Sequence, residues 1–402
     1  MPVARNHVLF FVGMLCGELG YQVQSVAVAW HVFTLRHQAF DLGLVGLALF
    51  LPTFALAVPA GFLSDRHDRR LIAAAMALVE AVCVLAFVVA VTQRVTSIVL
   101  YLAVLMGIGI ARAFGTPAER SLLPNIVTRA EFPRVQATYA SLRELTIIGG
   151  PALGGLLVAF SAATALAVSV AALVVYAAFI GALRVTRTEA ATRPATWHDA
   201  FAGLRYIRSR PIVAGAISLD LFAVLFGGAT ALLPAFADGI FHVGPTGFGA
   251  LRSAPAVGAA LVAAALARRP LQRRVGPALL CAIAGFGVAT IAFGLSRNFA
   301  FSLVLLAIAG GTDMVSVVVR SNLVQLTTPD AMRGRVNAVE AVFIGASNQL
   351  GAFESGTLAA FVGVVPSVVL GGAATLAVIA LWAALFPALR RADRFPLAAE
   401  AP

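Results

Sequence analysis

The chain has 402 residues, 60% of them hydrophobic and only 12% charged, with a mean hydropathy of +0.93, whereas soluble domains run near half apolar and a quarter charged. A soluble globular protein is therefore excluded. The formal net charge of +11 rests on 29 basic and 18 acidic residues, every one of the 29 being arginine; with no soluble domain to carry a basic face, nucleic-acid binding is excluded as well.

A helix needs about 20 apolar residues to cross a bilayer, so twelve crossings use about 240 residues and leave about 160 for short connections. Hydropathy between charged or Gly/Pro punctuation predicts spans near 8–35, 42–63, 71–92, 97–123, 134–160 and 163–184. After a linker over 185–210 come spans near 211–236, 245–267, 275–296, 299–325, 334–362 and 366–389. The segments lack the alternation of a barrel strand, so helices are the backbone that satisfies itself in lipid. The predicted fold is all-α and integral to the membrane, with a six-helix bundle over 1–184, the linker, and a six-helix bundle over 211–402. The polar start with Arg5 leads into an apolar run too long for a cleaved signal.

Arginine placement predicts orientation, because cytoplasmic loops are arginine-rich. With both termini cytoplasmic, the outer loops hold only Arg36, Arg94 and Arg297, while the arginines from Arg66 to Arg70, from Arg184 to Arg210 and from Arg268 to Arg274 fall inside. Arg120, Arg320, Arg333 and Arg335 are also read as inner-loop residues. The linker ends in an amphipathic stretch where Phe201, Leu204, Tyr206 and Ile207 can share one side of a helix, as an interfacial helix would place them.

Sliding the chain on itself reveals a duplication. Arg120-Ser121-Leu122-Leu123 faces Arg320-Ser321-Asn322-Leu323, and Arg134-Val135-Gln136-Ala137 faces Arg335-Val336-Asn337-Ala338; Glu18-Leu19 faces Asp220-Leu221. Repeated halves are typical of secondary transporters, whose substrate site lies near the midplane between them. Charges inside the bilayer cost several kcal/mol unless they pair, face a cavity or titrate. Those within the spans are Glu18, Glu80, Arg112, Arg143, Glu144, Asp220, Arg252, Asp313, Glu340 and Glu354.

Gly61-Phe62-Leu63-Ser64-Asp65-Arg66-His67-Asp68-Arg69-Arg70, between spans two and three, resembles the loop signature of the major facilitator superfamily, with Asp68 where a glycine is common. Arg112-Ala113-Phe114-Gly115-Thr116-Pro117, Gly149-Gly150-Pro151-Ala152-Leu153-Gly154-Gly155 and Arg333-Gly334-Arg335-Val336-Asn337 are similar to its enterobactin-exporter-like and macrolide-efflux-like branch. The glycine-proline stretch resembles an antiporter signature, with Thr146 at the place of an earlier glycine. The resemblance covers the whole length. It implies two pseudo-symmetric six-helix bundles and a proton-driven exporter of small, drug-like or siderophore-like molecules.

In this superfamily the first, fourth, seventh and tenth helices line the cavity. The resemblance and the duplication together nominate Glu18, Asp220 and Asp313 for proton coupling; the alternative is a structural carboxyl bonded to a neighbouring helix. Tyr21, Gln22, Arg112, Arg252, Asn348 and Gln349 are candidates for lining a substrate path, with interhelical hydrogen bonding the alternative for the amides. Arg112 cannot shed its charge, so it needs a carboxylate or an anionic substrate group. Glu80, Glu340 and Glu354 are expected to make helix-packing hydrogen bonds. Asp65 is expected at the positive N-terminal end of span eleven, with Arg66, Arg69, Arg333 and Arg335 completing an inner gate. Gly150, Pro151, Gly154 and Gly155 are expected to serve close packing and a bend.

No nucleotide-binding glycine loop with Lys and Ser/Thr occurs, and the six histidines form no metal-ligand pattern. Cys16, Cys83 and Cys281 lack disulfide or metal spacing and are predicted to be small buried hydrophobes. No catalytic residue, metal or cofactor is expected. The expected partners are a small-molecule substrate, protons and the lipid bilayer of the inner membrane, around a monomer. An uptake symporter on the same fold, or a non-transporting sensor or lipid-handling protein, stays open at this point.

Overall fold

The computed structural model describes residues 2–128, 131–184 and 197–395. In chain order they form α1 (Pro2–Arg36), α2 (Ala39–Ala55), α3 (Ala57–Arg66), α4 (Arg69–Thr92), α5 (Ile98–Arg120), α6 (Leu123–Ile126), α7 (Phe132–Phe160) and α8 (Ala162–Gly181). Then follow α9 (Trp197–Ser209), α10 (Pro211–Phe226), α11 (Leu233–Gly239), α12 (Gly244–Arg268), α13 (Val275–Leu295), α14 (Phe299–Thr327), α15 (Asp330–Val362), α16 (Val364–Leu385) and α17 (Pro387–Arg390). Among the described residues there is no strand, and nine stretches are long and apolar enough to cross a membrane. α1 and α15, at 35 and 33 residues, are longer still. The fold is that of an all-helical membrane protein.

Two predicted spans are interrupted. The second splits at Leu56 into α2 and α3, because the ring of Pro59 crowds the carbonyl of residue 55 and supplies no N–H to it. The seventh ends its first part at the Gly227-Gly228 pair, passes through a 3-10 turn over Ala229–Leu232, and resumes with Pro234 in the first turn of α11. Glycine's entropy cost and proline's preference for a first turn both favour a break there.

The described residues fall into two compact units. The first comprises Met1–His37, Leu44–Ala195 and Val243–Ser253, and the second Gln38–Gly43, Thr196–His242 and Ala254–Pro402. In the first unit, Phe10, Ala118, Tyr176 and Ile180 form a buried core where α1, α5 and α8 meet. α1 is gripped on two sides. A Cβ at Gly17 would stand 2.6 Å from the Tyr176 ring on α8, and one at Gly150 would stand 2.5 Å from Gln22 Cβ on α1, so both contacts require glycine. In the second unit, Leu219, Leu279, Ile283, Val319 and Leu323 knit α10, α13 and α14.

The amphipathic linker helix differs from expectation. Ile207, with Leu204 and Tyr206, packs against Val213, Ile217, Val324, Val336 and Val339 of α10, α14 and α15, and the Tyr206 hydroxyl donates to Thr327 O at 2.8 Å. That apolar face is covered by protein instead of headgroups, since these helices offer an aliphatic groove; the Phe201 side chain lies outside the described residues. The cysteines correct a second expectation. Cys16 and Cys83 are half-buried but Cys281 is exposed, on an apolar helix where an outward face suits lipid.

Candidate functional site

Four helices of the first unit, α1, α4, α5 and α7, direct charged side chains toward one cavity of about 110 Å³. α1 contributes Glu18, Tyr21 and Gln22, α4 Glu80, α5 Arg112, Glu119 and Arg120, and α7 Tyr139 and Arg143, while Tyr176 closes the wall from α8. Helical spacing explains the convergence. Glu18, Tyr21 and Gln22 follow at three and four residues and so share a face, as do Arg112 and Glu119 two turns on.

The charges are paired across helices. Arg112 Nη1 stands 3.6 Å from Glu80 Oε1, and the Arg112 guanidinium stacks 3.6 Å from the centre of the Tyr21 ring, a cation–π arrangement strengthened by desolvation. Glu80 Oε1 also accepts from Gln24 Nε2 at 3.3 Å, and Gln24 Oε1 accepts from Ser169 Oγ at 3.3 Å. Arg143 Nε donates to Glu18 Oε1 at 3.2 Å. Glu119 Oε2 accepts from the Tyr176 hydroxyl at 3.0 Å.

The second unit holds a smaller cluster. Arg320 Nη2 stands 3.3 Å from Asp220 Oδ2, and Arg320 Nη1 donates to Glu340 Oε1. Asp313 precedes Arg320 by seven residues, about two turns along the same face of α14. Asp220, Arg320 and Glu340 are the counterparts, under the sequence duplication, of Glu18, Arg120 and Tyr139. The second unit builds its charged cluster from these places, whereas in the first unit the corresponding Arg120 is exposed and Glu18 pairs instead with Arg143.

The structure brings Glu18, Tyr21, Gln22 and Arg112 together at the cavity. Asp220 pairs with Arg320, and Asp313 lies two turns before Arg320 on α14. Arg252 is half-buried in the first unit, in the early turns of α12. Asn348 is exposed and its Nδ2 donates to Ile344 O at 2.8 Å within its own helix, while Gln349 is half-buried. Of the gating candidates, the Asp65 side chain lies outside the described residues; Arg66 closes α3 and Arg69 opens α4. Arg333 Nη2 donates to Thr328 O at 3.3 Å and Arg335 Nη1 approaches Met332 Sδ at 3.5 Å. Gly150 and Gly154 lie against Gln22 and Val26 of α1, and Gly155 against Gly249 of α12; Pro151 sits between them, buried within an unbroken α7.

Three residues were misplaced by sequence reasoning. Arg320 was read as an inner-loop arginine, yet α14 runs on to Thr327 and buries Arg320 to 4% exposure. Glu80 does more than hydrogen-bond for packing, because it faces the cavity and holds Arg112. Glu119 was passed over inside a motif; its signal was a carboxylate seven residues after a buried arginine, on the same helical face.

A family model described as transmembrane secretion effector matches residues 4–401. The chain is 25% identical over 407 residues to the enterobactin exporter EntS of Escherichia coli O1:K1 / APEC, covering 98% of this chain and 96% of that protein. The EntS of Escherichia coli O139:H28 is 25% identical over 405 residues with the same coverage. Among solved structures, a bacterial homologue of the iron transporter ferroportin in an inward-facing state superposes with a TM-score of 0.73 at 16% identity, covering 97% of this chain and all of that one. A bacterial homologue of the lysosomal transporter Spinster, inward-facing and unoccupied, gives 0.71 at 15% identity, covering 96% and 97%.

Proposed function

On the premise that the chain belongs to the transmembrane secretion effector family of the major facilitator superfamily, and is a transporter and not an enzyme, we propose that it exports a small organic molecule, drug-like or siderophore-like, across the cytoplasmic membrane by proton antiport. The termini face the cytoplasm, as the arginine-rich loops support. The protein works as a monomer by alternating access.

One observation carries this reading: Glu18, Glu80 and Glu119 meet Arg112, Arg120 and Arg143 around one cavity inside a membrane bundle. Such charges are costly in a bilayer and mark ion or substrate pathways. The cavity, at about 110 Å³, is smaller than the 300–1,000 Å³ or so of a drug-sized pocket. It is a charged recess for moving protons and gripping one polar group of the substrate, through Tyr21, Gln22 and Arg112; Arg252, Asn348 and Gln349 are proposed as residues of the substrate path by the sequence resemblance.

Coupling follows from the pairs. Protonating Glu18 removes its attraction for Arg143, and protonating Asp220 removes one of the two carboxylates that hold Arg320. Asp313, two turns before Arg320 on α14, is the third proton-coupling group. Protonating Glu18 or Asp220 replaces an ion pair by a weaker contact between a neutral acid and a still-charged arginine, and so changes the relative stability of the transport states. Asp65, Arg66 and Arg69, with Arg333 and Arg335, form the inner gate, and Gly150, Pro151, Gly154 and Gly155 serve packing.

The relatives support export by what EntS is named for. The test is transport into or out of proteoliposomes under an imposed pH gradient, with enterobactin and ethidium as probes. Movement against the proton flow, lost in Glu18→Gln or Asp220→Asn, supports antiport; movement with it would make the protein a symporter. Asp65→Asn should change labelling of engineered inner-side cysteines, and unchanged labelling removes the gate.

A further inference from the structure

Glu119 has no role in the coupling scheme above. It sits in the last turn of α5, where the charged recess meets a second cavity of about 260 Å³. Phe10, Leu123 and Gln136 line only this second cavity; Glu119, Arg120, Tyr139 and Arg143 border both. Phe10 lies in the early turns of α1 and Gln136 in the first turn or two of α7, so the second cavity opens toward the helix ends that carry the N-terminus.

The groups facing this position are unequal in their commitments. From α1 comes Glu18, held by Arg143 of α7, and from α4 comes Glu80, held by Arg112 of α5. Arg120, beside Glu119 in sequence, points about 100° away and is exposed. α7 adds Tyr139, and α8 adds Tyr176, whose hydroxyl donates to Glu119. Among the described residues, Glu119 is thus the one carboxylate of the recess that makes no ion pair. A half-buried carboxylate in an intramembrane recess with a single neutral donor is poorly compensated as an anion, and a bound proton relieves it.

We propose that Glu119 is a proton-binding site, reached through the second cavity and standing beside the Glu18–Arg143 pair that it supplies. The proton adds to the Glu119 carboxylate; its later passage to the Glu18 carboxylate leaves Glu119 ionised again and frees Arg143. This inference rests on the proton-antiport reading for its purpose, but the site itself can be tested without transport.

The experiment is difference infrared spectroscopy of the purified protein in lipid across a pH series, following the carbonyl stretch of protonated carboxyls. Glu119→Gln keeps an acceptor for Tyr176, so it should fold with an unchanged melting temperature. It is expected to lose one titrating carboxyl component, which Glu119→Asp retains and Tyr176→Phe displaces along the pH axis. A Glu119→Gln spectrum that superposes on wild type at every pH overturns the proposal, even if proton-driven transport persists. Loss of the component in a protein that moves neither probe under a pH gradient would keep the site and reject antiport.

Discussion

Arg320 Nη2 lies 3.3 Å from Asp220 Oδ2, with the two side chains 5% and 8% exposed. A second carboxylate of the same unit, Glu340, bonds the same guanidinium. One permanent cation therefore stabilises a buried anion and a partly buried one, and the arrangement is sensitive to which partner is removed.

Arg320→Met should be far more damaging than Asp220→Asn. Removing the cation leaves Asp220 and Glu340 uncompensated, a loss of about 3–5 kcal/mol for a buried pair broken from one side. Asp220→Asn retains an acceptor and leaves Glu340 in place. Melting in detergent, followed by size-exclusion chromatography, should show Arg320→Met as aggregated or strongly shifted and Asp220→Asn as folded.

In the first unit, Arg112→Ala should lower stability by a similar amount of about 3–5 kcal/mol, because Glu80 would keep only Gln24. The double variant Arg112→Gln with Glu80→Gln should recover most of that stability while transport stays lost. Equal melting of single and double variants would show that the 3.6 Å pair contributes little.

The α1–α7 contact gives a prediction that two adjacent glycines separate. Gly150→Ala puts a Cβ 2.5 Å from Gln22 Cβ, so overpacking should cost about 1–3 kcal/mol. Gly149→Ala meets nothing within 4 Å and should be neutral or stabilising by up to about 1 kcal/mol. Thermal melting of the two variants side by side decides the matter.

Ile207→Ala, in the linker helix, should destabilise the protein by about 2–5 kcal/mol, as for a buried aliphatic truncated in a core. If the helix instead lay on headgroups, the melting temperature in detergent would hardly move.

Glu131, outside the spanning segments, accepts from the Thr128 hydroxyl at 2.7 Å and from its N–H at 3.4 Å. These bonds hold its carboxyl below the usual carboxylate value. A lowered folded-state value means that the contribution to stability is present above the unfolded value and is lost as pH falls through the folded one. Thr128→Ala should raise the Glu131 midpoint toward the ordinary value, read by carboxyl NMR.

Hydropathy made the spans legible because twenty apolar residues in a row have few other fates. The breaks at Leu56 and Gly227 were not, since a proline within an apolar run can bend a helix or merely sit in it. Arg320 was lost for a related reason: an arginine near the inner end of the span predicted over 299–325 reads as loop charge, whereas α14 runs on to Thr327 and buries it. The residues Glu18 and Arg112 stood out from their cost in lipid. Arg143 and Glu80 stood out in the same way, but that they are the partners did not, because pairing depends on which helices are neighbours, and sequence spacing within one helix carries no such information. For the linker helix, amphipathicity announced a face to be buried but not what would bury it.

The most direct test of proton-coupled export is pyranine-loaded proteoliposomes of defined orientation, exposed to enterobactin or ethidium. Substrate addition should move protons in the opposite sense to the probe, and Glu18→Gln should abolish that movement while leaving the protein folded. Probe movement with no proton movement, or with protons travelling alongside it, would contradict antiport.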